Sequence, residues 1–241
     1  MRLLKLGQLM VRMVGGVDRE GGGDGPVLVL MHGFGAPATD LVQLHRAVKV
    51  PPEVRFAFPA APLLLDANAP DDMAARAWWM IDLMRMQQAM LRGDGSLLAR
   101  QTPPGLVTAR AAVTEMLAAL ERDHHAPPER VVLGGFSQGA MLATDVVLRA
   151  ERPPAGLVIM SGAPVSVEEW QQLAPKRAGT PVLQSHGRSD PILPYQGAEW
   201  LRDLLEGSLL KTEFFPFNGG HSIPSSVLER LGPFVVSATS G

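Results

Sequence analysis

Apolar residues in this chain gather into short, nearly unbroken runs, and the longer stretches between the runs carry apolar positions at helical spacing. Val27-Leu28-Val29-Leu30-Met31, Val54 to Phe58, Val131-Val132-Leu133, Leu157-Val158-Ile159-Met160 and Pro181-Val182-Leu183 are the runs. A half-exposed strand alternates, whereas a strand covered on both faces reads as continuous apolar sequence. Helices are expected at about residues 38–48, 106–124, 138–151, 195–206 and 222–236. Within the second, Val113, Met116, Leu117 and Leu120 share a face, while Glu115, Glu121 and Arg122 fall elsewhere. Strand–helix–strand alternation of this kind predicts an α/β protein: a mostly parallel central sheet with helices on both faces. Gln8 to Val14, followed by the glycine-rich segment Gly21 to Gly25, reads as an initial strand and a turn that form an antiparallel edge.

Residues 61–105 break the rhythm. They hold Pro62, Pro70, Trp78, Trp79, Gly93, Gly95, Pro103 and Pro104. A stretch of that length between a strand and a helix is expected to be a small insertion with its own helix, in the manner of a lid or a pocket wall. Met80, Leu83, Met84, Met90 and Leu91 recur there at near-helical spacing. Methionine adapts to varied apolar ligands, so an acyl-binding wall beside Trp78 or Trp79 is one reading. Ordinary helix packing is the other.

Composition narrows the setting without choosing a chemistry. The chain has 241 residues, 46% hydrophobic and 19% charged, with a formal net charge of −2. Such a length routinely forms one α/β domain, so residues 1–241 are read as a single domain. The charge offers no footprint for nucleic acid. No uncharged apolar run is long enough to span a bilayer, and the run between Lys5 and Arg12 is too short for a signal-peptide core. A cytoplasmic setting is therefore favoured. Without cysteine there is no disulfide framework, thiolate nucleophile or Cys-based metal site. No carboxylate–histidine cluster has metal-ligand spacing, so neither a metal nor another cofactor is expected.

Candidate chemistry centres on Gly135-Phe136-Ser137-Gln138-Gly139, which follows a strand and opens a helix. The G-x-S-x-G string alone arises readily by chance in a chain with 25 glycines. Placed after Arg130-Val131-Val132-Leu133-Gly134, it predicts a sharp strand-to-helix bend that projects Ser137 above the sheet edge. Gly135 and Gly139 would remove side chains that clash across the bend, and the helix N-terminus would favour negative charge developing there.

A serine hydroxyl needs a base to become a nucleophile. Asp190 follows the Pro181 strand, and His221 follows the strand Thr212 to Phe217, in the chain order Ser, Asp, His. Both would lie at strand C-terminal ends, where open α/β sheets build their sites. His221 is read as the general base and Asp190 as the group that orients it. The plain alternatives are a loop-capping role for His221 and a turn-capping role for Asp190 before Pro191. Met31-His32-Gly33-Phe34-Gly35 closes an early strand, and the N–H groups of Phe34 and Gln138 are the expected oxyanion donors. Here His32 is expected to orient the loop and His186 to brace the Asp190 loop. His45 should lie on a surface or packed helix face, while His124 and His125 should end a helix, where a cation is favourable. Trp78, Trp79, Met84 and Leu193 are candidates for lining the substrate pocket.

With these segments in hand, the chain resembles the carboxylesterase/phospholipase branch of the α/β hydrolases, which includes the acyl-protein thioesterases. The resemblance runs from Val27 to Val236 on H-G-F-G, G-F-S-Q-G, S-H-G-R-S-D-P-I-L-P and G-G-H-S. It implies the α/β-hydrolase fold, no large cap domain, no cofactor, and action on a small-molecule ester or thioester as a monomer or homodimer. Position by position it implies the same triad and oxyanion donors. Ala77-Trp78-Trp79-Met80 stands where the family has a Ser-Trp-Phe-Asp-like segment, and Ala36 stands where Asp is common. Ester hydrolysis through an acyl–serine is the leading expectation, and thioester hydrolysis, including deacylation of lipidated proteins, is the alternative. A ligand-binding protein that has lost catalysis is a third, more distant reading.

Overall fold

In a computed structural model of the chain, residues 1–66, 68–70, 72–82, 84 and 99–240 are described. The parallel part of the sheet is built from the expected runs. β4 (Val27–Met31), β5 (Arg55–Pro59), β8 (Val131–Phe136), β9 (Gly156–Met160), β10 (Pro181–Gly187) and β11 (Lys211–Phe217) lie in the order β5-β4-β8-β9-β10-β11. Every neighbouring pair among them is parallel. All of β4, β5 and β9 is buried, which is why their sequences do not alternate.

Alternate residues of each strand feed opposite layers. Val27, Val29 and Met31 face a core closed by α2 (Leu106–His124), α3 (Gln138–Arg149), α4 (Val167–Leu173) and α5 (Tyr195–Gly207). Leu28 and Leu30 face the second core, closed by α1 (Leu44–Ala47) and α6 (Ser225–Thr239). The fold is that of the α/β hydrolases: a mostly parallel sheet with helices on both sides.

Several boundaries depart from expectation for local reasons. The initial strand is longer, β2 (Leu9–Gly16), and it pairs antiparallel both with β5 and with a further strand, β1 (Arg2–Leu6). The glycine-rich segment contributes β3 (Glu20–Gly22) against β2. The helix expected over 38–48 is only the single turn α1. Upstream of it and into its first residues, Asp40, Val42, Leu44, His45 and Arg46 each bond three residues back, the tighter 3₁₀ spacing. β10 runs on past Leu183 through Gln184, Ser185, His186 and Gly187, all buried polar or small positions. The last helix starts at Ser225, directly after Pro224. α4 was not anticipated at all.

The expected cation at the end of α2 is also corrected. Arg55, fully buried on β5, donates to the carbonyls of His124 and Gly25, at 2.6 Å from Nη1 and 2.9 Å from Nε respectively. Burial and the neighbouring Arg55 charge together lower the His124 pKa, so the guanidinium and not the histidine compensates the helix end.

In the insertion, β6 (Leu63–Leu64) and β7 (Arg76–Ala77) form a short antiparallel pair. The helix expected there, with Leu83, Met90 and Leu91, lies outside the described residues. Among the described residues no helix is long and apolar enough to cross a membrane.

Candidate active site

Four loops, at the C-terminal ends of β4, β8, β10 and β11, build the candidate site. At the end of β8 the chain turns at Ser137 with φ 55° and ψ −117°, and α3 begins at the next residue. A non-glycine residue at positive φ is strained and persists only where its surroundings hold it. They do so here, because Ser137 N–H donates to Met160 O at 2.9 Å, and Ser137 O accepts from Ala140 and Met141 in the first turn of α3. A Cβ at Gly135 would lie 2.6 Å from the Gly139 carbonyl carbon and from Met31 O, and one at Gly139 would collide with the Met31 carbonyl. Both glycines are thus required for the bend to pass beside β4. As the first residue of α3, Gln138 presents an N–H with no intrahelical acceptor.

The loop after β4 is tied down from both ends of the insertion. Ala61 N–H donates to His32 Nε2 at 3.1 Å, and Trp78 Nε1 donates to His32 O at 2.9 Å. Gly35 N–H donates to Arg76 O at 2.8 Å, and Arg76 N–H returns to Ala36 O. These bonds seat Gly33 against the bend, where a Cβ would stand 3.3 Å from that of Ser137. Phe34, the next residue, is half-buried.

Since His32 Nε2 accepts a proton donor, its own proton sits on Nδ1, 2.9 Å from Gly33 O. Burial of the ring is the main cause of a pKa lowered from 6.5 to about 4, with the Gly33 bond acting in the opposite sense. The sign of the linkage follows. Between about pH 6.5 and 4 the unfolded chain binds a proton at His32 that the folded chain refuses, so stability falls as pH falls through that window. The full loss is about 3 kcal/mol. Denaturant titrations at pH 7 and pH 4.5 are expected to show a markedly smaller drop for His32→Gln, whose amide oxygen can still accept the Ala61 N–H.

Asp190 and His221 meet where β10 and β11 end. A Cβ at Gly187 would collide with the carbonyls of Gly219 and Gly220, so its absence lets the two loops touch. Arg188 N–H donates to Phe217 O, and Ser189 donates to Gly219 O through both its N–H and its hydroxyl. Asp190 then accepts Ile192 N–H at 2.8 Å and Leu193 N–H at 2.9 Å on Oδ1. Its Oδ2 accepts His221 Nδ1–H at 2.7 Å. Burial pushes this carboxyl upward, but hydrogen bonds from His186, His221, Leu193 and Ile192 outweigh it and hold Asp190 well below the usual carboxylate range. With Nδ1 donating to Asp190, His221 Nε2 is left as the basic nitrogen.

This pair reaches the bend through Phe136, whose ring lies 4.7 Å from the His221 ring. Among the described residues no hydrogen bond joins Ser137 Oγ to His221. Catalytic hydrogen bonds are often long until the reacting complex forms.

The remaining candidates have different surroundings. Trp78 and Trp79 are each 2% exposed and belong to the core beneath the site, whereas Met84 is 72% exposed. Leu193 is buried beside Asp190. One role was missed in the sequence pattern. The Gln138 side chain, within a wholly buried stretch of α3, accepts Trp78 N–H at 3.0 Å and donates to Trp79 O at 2.8 Å. A polar residue inside an apolar stripe was the clue that its side chain had buried partners to satisfy.

The profile of the phospholipase/carboxylesterase family matches residues 17–238. Over 217 residues the chain is 27% identical to acyl-protein thioesterase 1 of Neurospora crassa, covering 86% of this chain and 84% of that one. For acyl-protein thioesterase 1 of Kluyveromyces lactis the identity is 28% over 221 residues, covering 88% and 91%. Among solved structures, esterase PE8 superposes with a TM-score of 0.77 at 27% identity, covering 95% of this chain and 99% of that one. A carboxylesterase from Mesorhizobium loti, 18% identical, shares the fold with a TM-score of 0.74 over 98% of both chains.

Proposed function

The chain belongs to the phospholipase/carboxylesterase family, and from that premise we propose that this hydrolase cleaves carboxylic esters through an acyl intermediate on Ser137, with His221 as base and Asp190 as its orienting acid. The observation that carries the assignment is the 2.7 Å bond from His221 to Asp190, set beside a strained serine at a helix N-terminus.

In this reading His221 Nε2 takes the proton of Ser137 Oγ as the oxygen attacks the carbonyl carbon. The N–H groups of Phe34 and Gln138 receive the charge that develops on the carbonyl oxygen. Each such donor contributes about 3–4 kcal/mol where one has been removed in other enzymes. The imidazolium then passes its proton to the leaving alcohol. Water repeats the sequence on the acyl–serine and frees the acid. Side chains and water supply every group the reaction needs. We read residues 1–241 as one domain, which the single main sheet and its two flanking cores support. The burial of Trp78 and Trp79 supports a role in backing the oxyanion loop from behind, with Met84 and Leu193 left as the candidates for contact with substrate.

A second reading, thioester hydrolysis, is favoured by the relatives named acyl-protein thioesterases. The same machinery serves both reactions. Labelling with a fluorophosphonate probe, followed by rates on p-nitrophenyl esters and acyl thioesters from acetyl to palmitoyl, tests the proposal. Covalent labelling at Ser137 with ester turnover is expected. A folded protein that neither labels nor turns over any member of the panel is a binding protein instead.

A further inference from the structure

Asp190 is shared between two imidazoles, and the proposed mechanism uses only one of them. His186, on β10 and fully buried, approaches the same carboxylate oxygen as His221. Its Nε2 lies 2.8 Å from Leu193 O and 3.3 Å from Asp190 Oδ2. Both are acceptors, so Nε2 carries the proton: its hydrogen bond goes to the carbonyl, and the same N–H edge of the ring stands against Oδ2 as a longer, charge-assisted contact. The other ring nitrogen, Nδ1, is buried with no hydrogen-bond partner among the described residues. A histidine placed only to fill space between β10 and α5 would leave its tautomer and its ring orientation free. This one spends its single N–H on the two groups that define the Asp190–Leu193 turn.

We propose that His186 is a positioning residue of the reaction: its Nε2–H fixes Asp190 Oδ2 toward His221 and shares the charge of that oxygen. The inference rests on the triad reading above. Two backbone N–H groups already hold Oδ1, and among the described residues Oδ2 has His221 as its hydrogen-bond donor. A second N–H edge 3.3 Å from Oδ2 narrows the movement left to that oxygen. It also withdraws electron density from the oxygen that stabilises the imidazolium. The other titratable or charged groups nearby are set further back. The Tyr195 ring, on α5, is 6.3 Å from that of His186, and Arg188 lies 3.4 Å from Tyr195 Oη.

The test compares His186→Phe, which keeps the ring and loses the donor, with His186→Gln, whose amide N–H reaches the place of Nε2. In folded His186→Phe, kcat is expected to fall about tenfold with KM unchanged. The acid limb of kcat/KM should move to higher pH by about half a unit, because the undivided charge on Oδ2 then stabilises the protonated base. The downfield proton resonance of the Asp190–His221 bond should shift with it, and His186→Gln should restore all three. A merely structural histidine would lower Tm and activity while leaving the limb and the resonance in place, and that result overturns the proposal. If the Phe variant does not fold, His186→Gln against His186→Asn decides, since asparagine is too short to set its N–H at that point. Equal limbs in those two variants also overturn it. Asp190→Asn measured alongside separates the levels. Full activity there removes the triad itself, whereas its collapse beside an unshifted His186→Phe removes this inference alone.

Discussion

Replacing Ser137 by alanine is expected to lower kcat by about five to six orders of magnitude and to abolish the burst of acylation with an activated ester. The substitution deletes one oxygen and asks nothing new of the backbone. Serine and alanine both carry a Cβ, so each bears the same steric cost at φ 55°, and the bonds that hold the bend are made by backbone groups. Thermal unfolding should therefore stay within about 2 °C of the parent. Pre-steady-state release of p-nitrophenol, read together with the melt, separates loss of chemistry from loss of fold. A burst of parental amplitude in a folded Ser137→Ala protein would remove the proposed nucleophile.

Asp190→Asn should be nearly as severe, a loss of about four orders of magnitude in kcat, and for a different reason. Ile192 and Leu193 N–H both need an acceptor, so the amide oxygen stays with them on the Oδ1 side. The amide nitrogen then takes the place of Oδ2 and presents hydrogens to His221 Nδ1, which had been donating at 2.7 Å. To accept from it, the imidazole must move its own proton to Nε2, and no lone pair remains for the serine. The fold is retained, because the carboxamide keeps the turn closed. Stopped-flow acylation rates and the rate of fluorophosphonate labelling give the measurement. Retention of more than about a tenth of parental kcat would show that Asp190 is not the orienting group.

How far the sequence alone could go is clear from particular segments. β4, β5 and β9 were legible because burial on both faces leaves an uninterrupted apolar record. α2 was read to the residue, and its limits are marked by Gly105 and His125, both in left-handed conformations at its two caps. β1 was not legible. Of its residues only Leu6 is buried, and its leucines at 3, 4 and 6 are interrupted by Lys5, so the strand shows neither an unbroken apolar run nor a clean alternation. At the site, the glycine spacing around Ser137 foretold the bend, and the chain order pointed to Asp190 and His221. Their meeting depends on Gly187, whose missing Cβ lets the loop after β10 pass against the Gly219 and Gly220 carbonyls, which is a tertiary fact with no local pattern. The use of Arg55 in place of His124 and His125 at a helix end was hidden for the same reason. A strand's arginine and a helix's last carbonyls come together only once the sheet is assembled.

The amide of Gln138 has a consequence for anyone wishing to re-engineer this protein. One side chain, on the residue that follows Ser137, fastens the backbone of Trp78 and Trp79 to the start of α3. Exchanging residues 61–105 for a loop from another hydrolase would therefore disturb turnover as well as selectivity, unless the graft offers that amide one N–H and one carbonyl at the same two positions. The insertion and the bend at Ser137 have to be redesigned together.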